Sequence, residues 1–340
     1  MNQSVSLRNI DLDIIKGLLV FIMIFYHSAS MAFNKSPELL KIADFIQFIH
    51  FAFLIITGFL CGWYYLPKLD SVSQKSVSKR LQIRALKIGL ILITLNTFIY
   101  AFNILDFNKL LPAIATFPDL LNNLLLSVKG SLIAFEILLP IALFLLFASF
   151  ILVQKNILII TFLFTGITLY LGQWGTTVNT IAFGGIGLIA GVLSQTEWVK
   201  KTFAYYKKDP STSFIVFIGC ICSILFLKFL YSSLPFHFYY TAEAFCWFLG
   251  LLAIVQLTGS HLIADSLVLF GNYTLLGYIS QMFIIRIIYK LLSNIGITGF
   301  FYYVTCVFIS TIFLFLLLKV VDNFRMHYKS FNSTYRLIFQ

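Results

Sequence analysis

Apolar runs long enough to cross a lipid bilayer recur along most of this chain, and no other feature restricts its fold as strongly. Of the 340 residues, 60% are hydrophobic and only 11% are charged. A helix needs about 20 apolar residues to span the hydrocarbon core, so the sequence predicts an all-α, polytopic membrane helix bundle with about ten transmembrane helices. The predicted spans are 13–33, 43–66, 83–105, 131–153, 157–172, 180–194, 214–231, 241–258, 268–291 and 300–321.

Basic residues predict the orientation of these spans. Most of the 24 Lys and Arg residues fall on the inner side when the N-terminus is placed in the cytoplasm, as the positive-inside rule requires. An even number of spans then returns the basic C-terminal tail, about 322–340, to the cytoplasm. We expect a single domain, 1–340, that lies in the inner (plasma) membrane as a multi-pass protein and carries no removable signal peptide.

The net charge and the cysteines limit which partners this chain can be expected to have. A formal charge of +11 would favour nucleic acid in a water-soluble chain. Basic loops that face an anionic lipid leaflet explain the charge here, so we expect membrane lipids and no nucleic acid as partners. The five cysteines lie inside apolar runs without metal-ligand spacing, which predicts packing residues, no metal site and no bound cofactor.

Three ionisable residues share one face of the first span. A helix turns about 100° per residue, which places Asp13, Lys16 and His27 within roughly 60° of one another. Lys16 and His27 are then roughly 16 Å apart along the axis, from the membrane surface to about mid-depth. An imidazole at that depth costs several kcal/mol unless it faces a partner or a water-filled cavity, so His27 indicates a functional site. The alternatives are a hydrogen-bonded core histidine and, for Asp13 and Lys16, an interfacial anchor.

A second basic face lies where the chain enters the third span. Arg80, Arg84 and Lys87 are separated by four and three residues, so they line one side of a helix. Such a cluster suits phosphate groups. An anchor that binds lipid headgroups explains the cluster more simply, and only the expected position of Lys16 at the same membrane level favours a shared site.

Other charges fall inside predicted spans and need partners there. Glu136, Glu243 and Arg286 are expected to pair with one another or with His27. Glu136 is the most deeply placed acid, and it suits either an orienting contact to the imidazole or a structural ion pair. Ser–His–Asp and Cys–His patterns have no local support, so a single histidine acting as general base on a hydroxyl is the simplest chemistry available.

These residues resemble the acyltransferase-3 family of integral membrane O-acyltransferases. Asp13-x-x-Lys16-Gly17 is similar to the opening Asp-x-x-Arg-Gly of that family, and Lys16-x10-His27 matches its Arg/Lys-x10-His motif. The segment 53–60 resembles an aromatic-rich stretch that ends Ser-Gly-Phe-Leu, with Thr in place of Ser.

Later motifs resemble the same family less closely. The segment 84–87, Arg-Ala-Leu-Lys, is similar to an Arg-x-x-Arg motif, and 270–281 resembles a segment that often ends in His, where this chain has Gln281. The stretch 134–140, Ala-Phe-Glu-Ile-Leu-Leu-Pro, is reminiscent of the branch that modifies periplasmic glucans.

The resemblance implies an acyltransferase that transfers groups other than aminoacyl groups, from cytoplasmic acyl-CoA to a glycan or glycolipid hydroxyl on the outer side. Acetyl-CoA is the simplest donor. His27 would take the proton from the acceptor, while Asp13 or Glu136 orients groups nearby. The CoA phosphates would be held by four basic residues, namely Lys16, Arg80, Arg84 and Lys87.

Two other function classes stay open. A multi-span transporter or flippase would use the buried charges as a proton or substrate path, although no repeat between the two halves is evident. A glycan polymerase or ligase would need a large outer loop, and the longest outer connection predicted here is only 106–130. That connection is also compatible with an interfacial helix without chemistry.

Overall fold

The computed structural model describes a helical protein. The residues described are 9–32, 37–65, 74–104, 137–151, 187–194, 196–197, 210–230, 236–257, 261–297 and 299–339. Within these ranges all regular structure is helical and no strand is present, as the sequence predicts. The chain divides into two compact units, Met1–Phe53 with Phe203–Gln340, and Leu54–Thr202. We call them unit one and unit two.

The helices follow the apolar runs closely. In chain order they are α1 (Ile10–Ala32), α2 (Pro37–Phe45), α3 (Ile49–Tyr65), α4 (Gln74–Ile104), α5 (Leu138–Ile151), α6 (Pro210–Phe229), α7 (Phe236–Leu257), α8 (His261–Asn272), α9 (Thr274–Asn294), α10 (Gly299–His327) and α11 (Lys329–Phe339).

Among the residues that the structure describes, five segments are long and apolar enough to cross a membrane. They are Lys41–Tyr65, Ser211–Phe229, Tyr239–Leu257, Thr274–Asn294 and Gly299–His327. They correspond to five of the predicted spans, and α5 is a shorter apolar helix within a sixth. The predicted span 157–172 and the connection 106–130 lie outside the described residues.

Helix α1 is the central element of unit one. It packs against α2, α7, α8, α9 and α10. Ile15, Val20, Met23 and Ile24 have no exposed surface, because neighbouring helices surround this part of α1. A helix that is apolar on most of its surface is stable only when it is enclosed in this way or by lipid. The first predicted span is therefore the core of its unit.

The closest helix contact in unit one joins α1 to α8 through two glycines. A Cβ added at Gly17 would overlap the backbone carbonyl of Leu267, and one added at Gly271 would overlap the carbonyl of Asp13. Small residues allow membrane helices to approach backbone to backbone, where van der Waals packing is strongest. Gly17 faces Leu267, whereas the earlier residue Asp13 faces the later residue Gly271, so α1 and α8 are antiparallel.

The predicted span 268–291 is not one continuous helix, and its predicted start was wrong, since the helix long enough to cross a membrane begins at Thr274. The helix breaks at Tyr273, which has φ −114° and ψ 28°, and divides α8 from α9. Gly271 and Asn272 precede the break, and both have low helix propensity. The Tyr273 hydroxyl donates a hydrogen bond of 2.5 Å to Asp322 Oδ1, which holds the break against the end of α10.

The basic C-terminal tail is helical at residues 322–327 and 329–339. No glycine or proline interrupts the chain after Gly299, so α10 continues to His327 and α11 follows. The guanidinium of Arg325 lies over the ring of Tyr335, 4.2 Å from its centroid. Nε of Arg325 donates a 3.2 Å hydrogen bond to Asn332 Oδ1. Burial raises the pKa of Tyr335 to about 12, so its ring stays neutral beneath the guanidinium at physiological pH.

Unit two contains a second glycine contact. A Cβ at Gly58 would overlap the carbonyl of Gly187, and one at Gly62 would overlap the carbonyl of Gly191. The C-terminal part of α3 therefore packs closely on the helical residues 187–193. Helices α4 and α5 also pack on each other in this unit.

Candidate functional site

The ionisable stripe predicted on the first span lies on one unbroken helix. Asp13, Lys16 and His27 are all in α1, and no break separates them. Lys16 Nζ is 2.5 Å from Asp13 Oδ1, an ion pair between residues three apart. Asp13 is 4% exposed, while the Lys16 side chain keeps 19% of its surface exposed. Asp13 thus neutralises part of the charge on Lys16 and fixes its position.

His27 lies among aromatic side chains of unit one. The ring of Tyr26 meets it edge-on at 5.2 Å between centroids, and the ring of Tyr278 from α9 lies at 6.4 Å. The Nε2 atom is buried, and no described residue forms a hydrogen bond with it. A buried imidazole nitrogen without a partner can still accept or donate a hydrogen bond, depending on the tautomer. The group that it would bind is not part of the described chain. Within the described residues, Nε2 therefore does not form the hydrogen bond that would hold a structural core histidine.

A second histidine, to which no role was assigned from the sequence, belongs to the same cluster. The ring of His50 also meets Tyr26 edge-on, at 4.9 Å between centroids. Its Nδ1 donates a 3.2 Å hydrogen bond to the carbonyl of Gln47, and Gln47 Oε1 accepts a 3.0 Å bond from Tyr240. The rings of His27, Tyr26 and His50 therefore form a continuous row that ends in a hydrogen-bonded pair.

Helix α9 carries two more polar residues of interest, Gln281 and Arg286. Gln281 lies one turn after Tyr278 on the same helix face and has no exposed surface. Neither atom of its amide has a hydrogen-bond partner within the described chain. Arg286, which is largely exposed, is near enough for its charge to act on the His27 ring. The sequence singled out both residues, and it predicted His27 as one possible partner of Arg286.

Glu243 does not pair with His27, contrary to one of the predicted options. Its partner is Lys228 of α6, whose Nζ is 3.1 Å from Glu243 Oε1. The Glu243 side chain is 1% exposed and that of Lys228 is 29% exposed. Lys228 also lies 4.8 Å from the centroid of Phe45 and 3.4 Å from the Tyr239 hydroxyl. Lys228 has no distinctive signal in the sequence, because a single lysine at the end of an apolar run is ordinarily an interfacial residue.

The buried pair predicts an asymmetric response to mutation. We expect Lys228→Met to lower the melting temperature more than Glu243→Gln does, because it leaves a carboxylate inside unit one without its counter-charge. The double variant should recover most of the loss, since both charges are then removed together. Thermal unfolding of the detergent-solubilised protein, followed by tryptophan fluorescence, measures all three. Equal losses in the two single variants, or a double variant no better than Lys228→Met, would contradict the coupling.

The second basic face lies in unit two. Arg80, Arg84 and Lys87 are on α4, which begins at Gln74 and so makes the face helical over its whole length. Arg80 and Arg84 are exposed and Lys87 is half-buried. The guanidinium of Arg84 lies 5.8 Å from the ring centroid of Tyr65 at the end of α3. A shared site of these residues with Lys16 stays a prediction, as does any role of Glu136, which lies outside the described residues.

No metal site is apparent in the part of the chain that the structure describes. Three or more His, Cys, Asp or Glu side chains do not come together there. Cys61, Cys220, Cys222, Cys246 and Cys306 are free thiols.

Comparisons with protein-family models, with curated proteins and with solved structures gave no match for this chain. The function is therefore inferred from the residues and their geometry. The central observation is a histidine fixed by aromatic rings, with a buried nitrogen that no described residue uses.

Proposed function

We propose that this protein is a membrane O-acyltransferase that moves an acyl group, acetyl in the simplest case, from cytoplasmic acyl-CoA to a hydroxyl of an envelope glycan or glycolipid. The proposal includes about ten spans with both termini in the cytoplasm. It places the protein in the plasma membrane. The resemblance of 13–27 and 84–87 to the acyltransferase-3 family supports the reaction class.

The observation that carries the proposal is the state of His27. A general base needs a nitrogen lone pair that its own protein does not occupy, in a fixed orientation. Nε2 of His27 has no partner among the described residues, and Tyr26 and Tyr278 limit the rotation of the ring. A purely structural histidine would use this nitrogen in a hydrogen bond, because an unpaired buried polar atom costs free energy.

The proposed reaction needs only one proton carrier. His27 Nε2 accepts the proton of the acceptor hydroxyl as its oxygen attacks the carbonyl carbon of the thioester. The carbon–sulfur bond then breaks, and the imidazolium returns the proton to the departing thiolate. The products are the ester and free CoA, and the histidine ends in its starting state.

The donor would approach along α1. Lys16, Arg80, Arg84 and Lys87 are proposed to hold the phosphates of CoA, for which Arg offers a planar fork of donors and Lys a point charge. Lys16 and His27 are separated by roughly 16 Å of helix rise, a distance that the pantetheine arm covers in large part. Asp13 would position Lys16 through their ion pair, and Glu136 is proposed to orient groups near His27.

Phosphate binding by α4 is testable through the Michaelis constant. We expect Arg84→Ala to raise the KM for acetyl-CoA about tenfold with a much smaller change in kcat, because a phosphate contact far from the thioester contributes equally to ground and transition states. Lys75→Ala is the matched control, since Lys75 is an exposed cation in the first turn of the same helix. Equal KM values for the two variants would assign Arg84 to lipid headgroups.

The reaction itself is tested with purified protein in proteoliposomes, supplied with acetyl-CoA and a glycan extract of the source cells. We expect release of free CoA thiol and an added acetyl mass on a glycan, detected by mass spectrometry. Comparison of envelope glycans from cells with and without the protein identifies the acceptor. The absence of both thiol release and acetylated glycan would refute the proposal.

A transporter is the second candidate, and the Lys228–Glu243 pair favours it. Buried charged pairs in membrane helices often mark ion or substrate paths. This function predicts proton-coupled flux in liposomes that contain no acyl-CoA, and loss of that flux in the double variant of Lys228 and Glu243. The acyltransferase predicts that the double variant keeps its transfer activity.

A further inference from the structure

Gln281 is a buried amide without a partner in the described chain. It has no exposed surface, and both its nitrogen and its oxygen lack a hydrogen bond to the described residues. A primary amide in such a place leaves two donors and one acceptor unused.

Gln281 lies one helical turn from a residue whose ring is near the candidate base. Tyr278 precedes it by three residues, so the two side chains leave α9 on the same face. The Tyr278 ring lies 6.4 Å from that of His27. One turn of α9 thus carries both the aromatic neighbour of the imidazole and an amide that no described residue uses. The neighbouring Gly277 lies against Val20 of α1, where an added Cβ would be 3.3 Å from a methyl group.

An unpaired amide is costly, and a leucine of nearly the same volume would remove that cost. A polar group retained without a partner in the interior is typical of residues that meet a ligand. Gln47 shows the opposite case in the same unit, because its amide oxygen accepts a hydrogen bond from Tyr240 at 3.0 Å. The two amides therefore differ in whether the protein itself supplies a partner.

We propose that the Gln281 amide binds the carbonyl oxygen of the acyl thioester, so that its N–H group stabilises the negative charge that develops there. This assignment rests on the proposed function and extends it. As the acceptor oxygen attacks and His27 takes its proton, the carbonyl electrons move onto the oxygen. They return to re-form the carbonyl when the thiolate leaves. A neutral N–H donor placed beforehand stabilises this charge without any rearrangement.

Gln281→Leu tests the assignment with two measurements on one variant. In the proteoliposome assay we expect kcat to fall about 10²-fold, with less than about a twofold change in KM for acetyl-CoA, because the contact strengthens only in the transition state. In thermal unfolding we expect the melting temperature to stay equal or rise, because an unpaired buried amide is removed. Gln47→Leu is the matched control for stability and should melt at a lower temperature, since it breaks the bond to Tyr240.

The outcomes separate the two proposals. A Gln281→Leu protein that melts well below the wild type would show that the amide has a structural partner, and this overturns the assignment. Unchanged kcat in Gln281→Leu, with normal transfer by the wild type, overturns the assignment and leaves the proposed function intact. If the wild-type protein shows no acyl transfer, the proposed function is refuted. The thioester is then also refuted as the ligand of Gln281.

Discussion

Acyl transfer is expected to fall about 10³-fold when His27 is replaced by alanine, within the range that loss of a general base produces. In the proposed reaction, the only group that this substitution removes from contact with the substrate is Nε2, to which we assign the proton transfer. The contacts to Tyr26 and Tyr278 are aromatic and contribute modestly to stability. The variant should therefore still accumulate in the membrane. The measurement is CoA thiol release in proteoliposomes.

Two further variants make this prediction specific. His27→Gln keeps polar atoms at the site but supplies no base near neutral pH, so it should be as inactive as His27→Ala. His327→Ala is the control, because His327 is an exposed histidine at the end of α10 and should leave transfer unchanged. Wild-type rates in His27→Ala would remove this residue from the mechanism and leave the buried nitrogen unexplained.

Gly17→Ala should lower the melting temperature by about 5 °C or more. A methyl group at Gly17 would overlap the backbone carbonyl of Leu267, and a backbone atom within a helix cannot rotate away as a side chain does. Helices α1 and α8 must then separate, which weakens packing along the central helix of unit one. Gly271→Ala should produce a similar loss from the other side, because its methyl group would overlap the carbonyl of Asp13.

Gly89→Ala and Gly219→Ala are the controls for this experiment. Both glycines lie within long helices, and nothing lies within 4 Å of an added Cβ at either position. Alanine is favoured over glycine in a helix interior by about 1 kcal/mol, so these variants should melt at or above the wild-type temperature. Thermal unfolding in detergent measures all four variants. A similar shift in the controls and in Gly17→Ala would show that close packing at α1 does not limit stability.

The helices were predictable because their signal is local. Apolar runs and the spacing of Asp13, Lys16 and His27 are read directly from neighbouring positions. The basic face on α4 was predictable for the same reason, since residues three and four apart share a side of any helix. The orientation of the spans and the shared site of Lys16 with Arg84 depend on the membrane and on both units, and they stay predictions.

The break at Tyr273 was missed because hydropathy does not change there. The run from α8 into α9 is apolar on both sides, and the local signal is only Gly271 followed by Asn272. What holds the break is a hydrogen bond from Tyr273 to Asp322, which lies 49 residues further along the chain. Contacts of that separation carry no periodic signature in a sequence.

By itself, the sequence determined that the described chain is helical, that several helices are apolar enough to cross a membrane, and that His27 shares a helix face with Asp13 and Lys16. These properties follow from the backbone repeat and from the cost of exposing apolar or unpaired polar groups. Only the tertiary structure decided that Lys228 is the partner of Glu243, and that Nε2 of His27 and the amide of Gln281 have none within the described residues. The reason is physical: whether a buried polar atom is paired depends on which helices pack together in space.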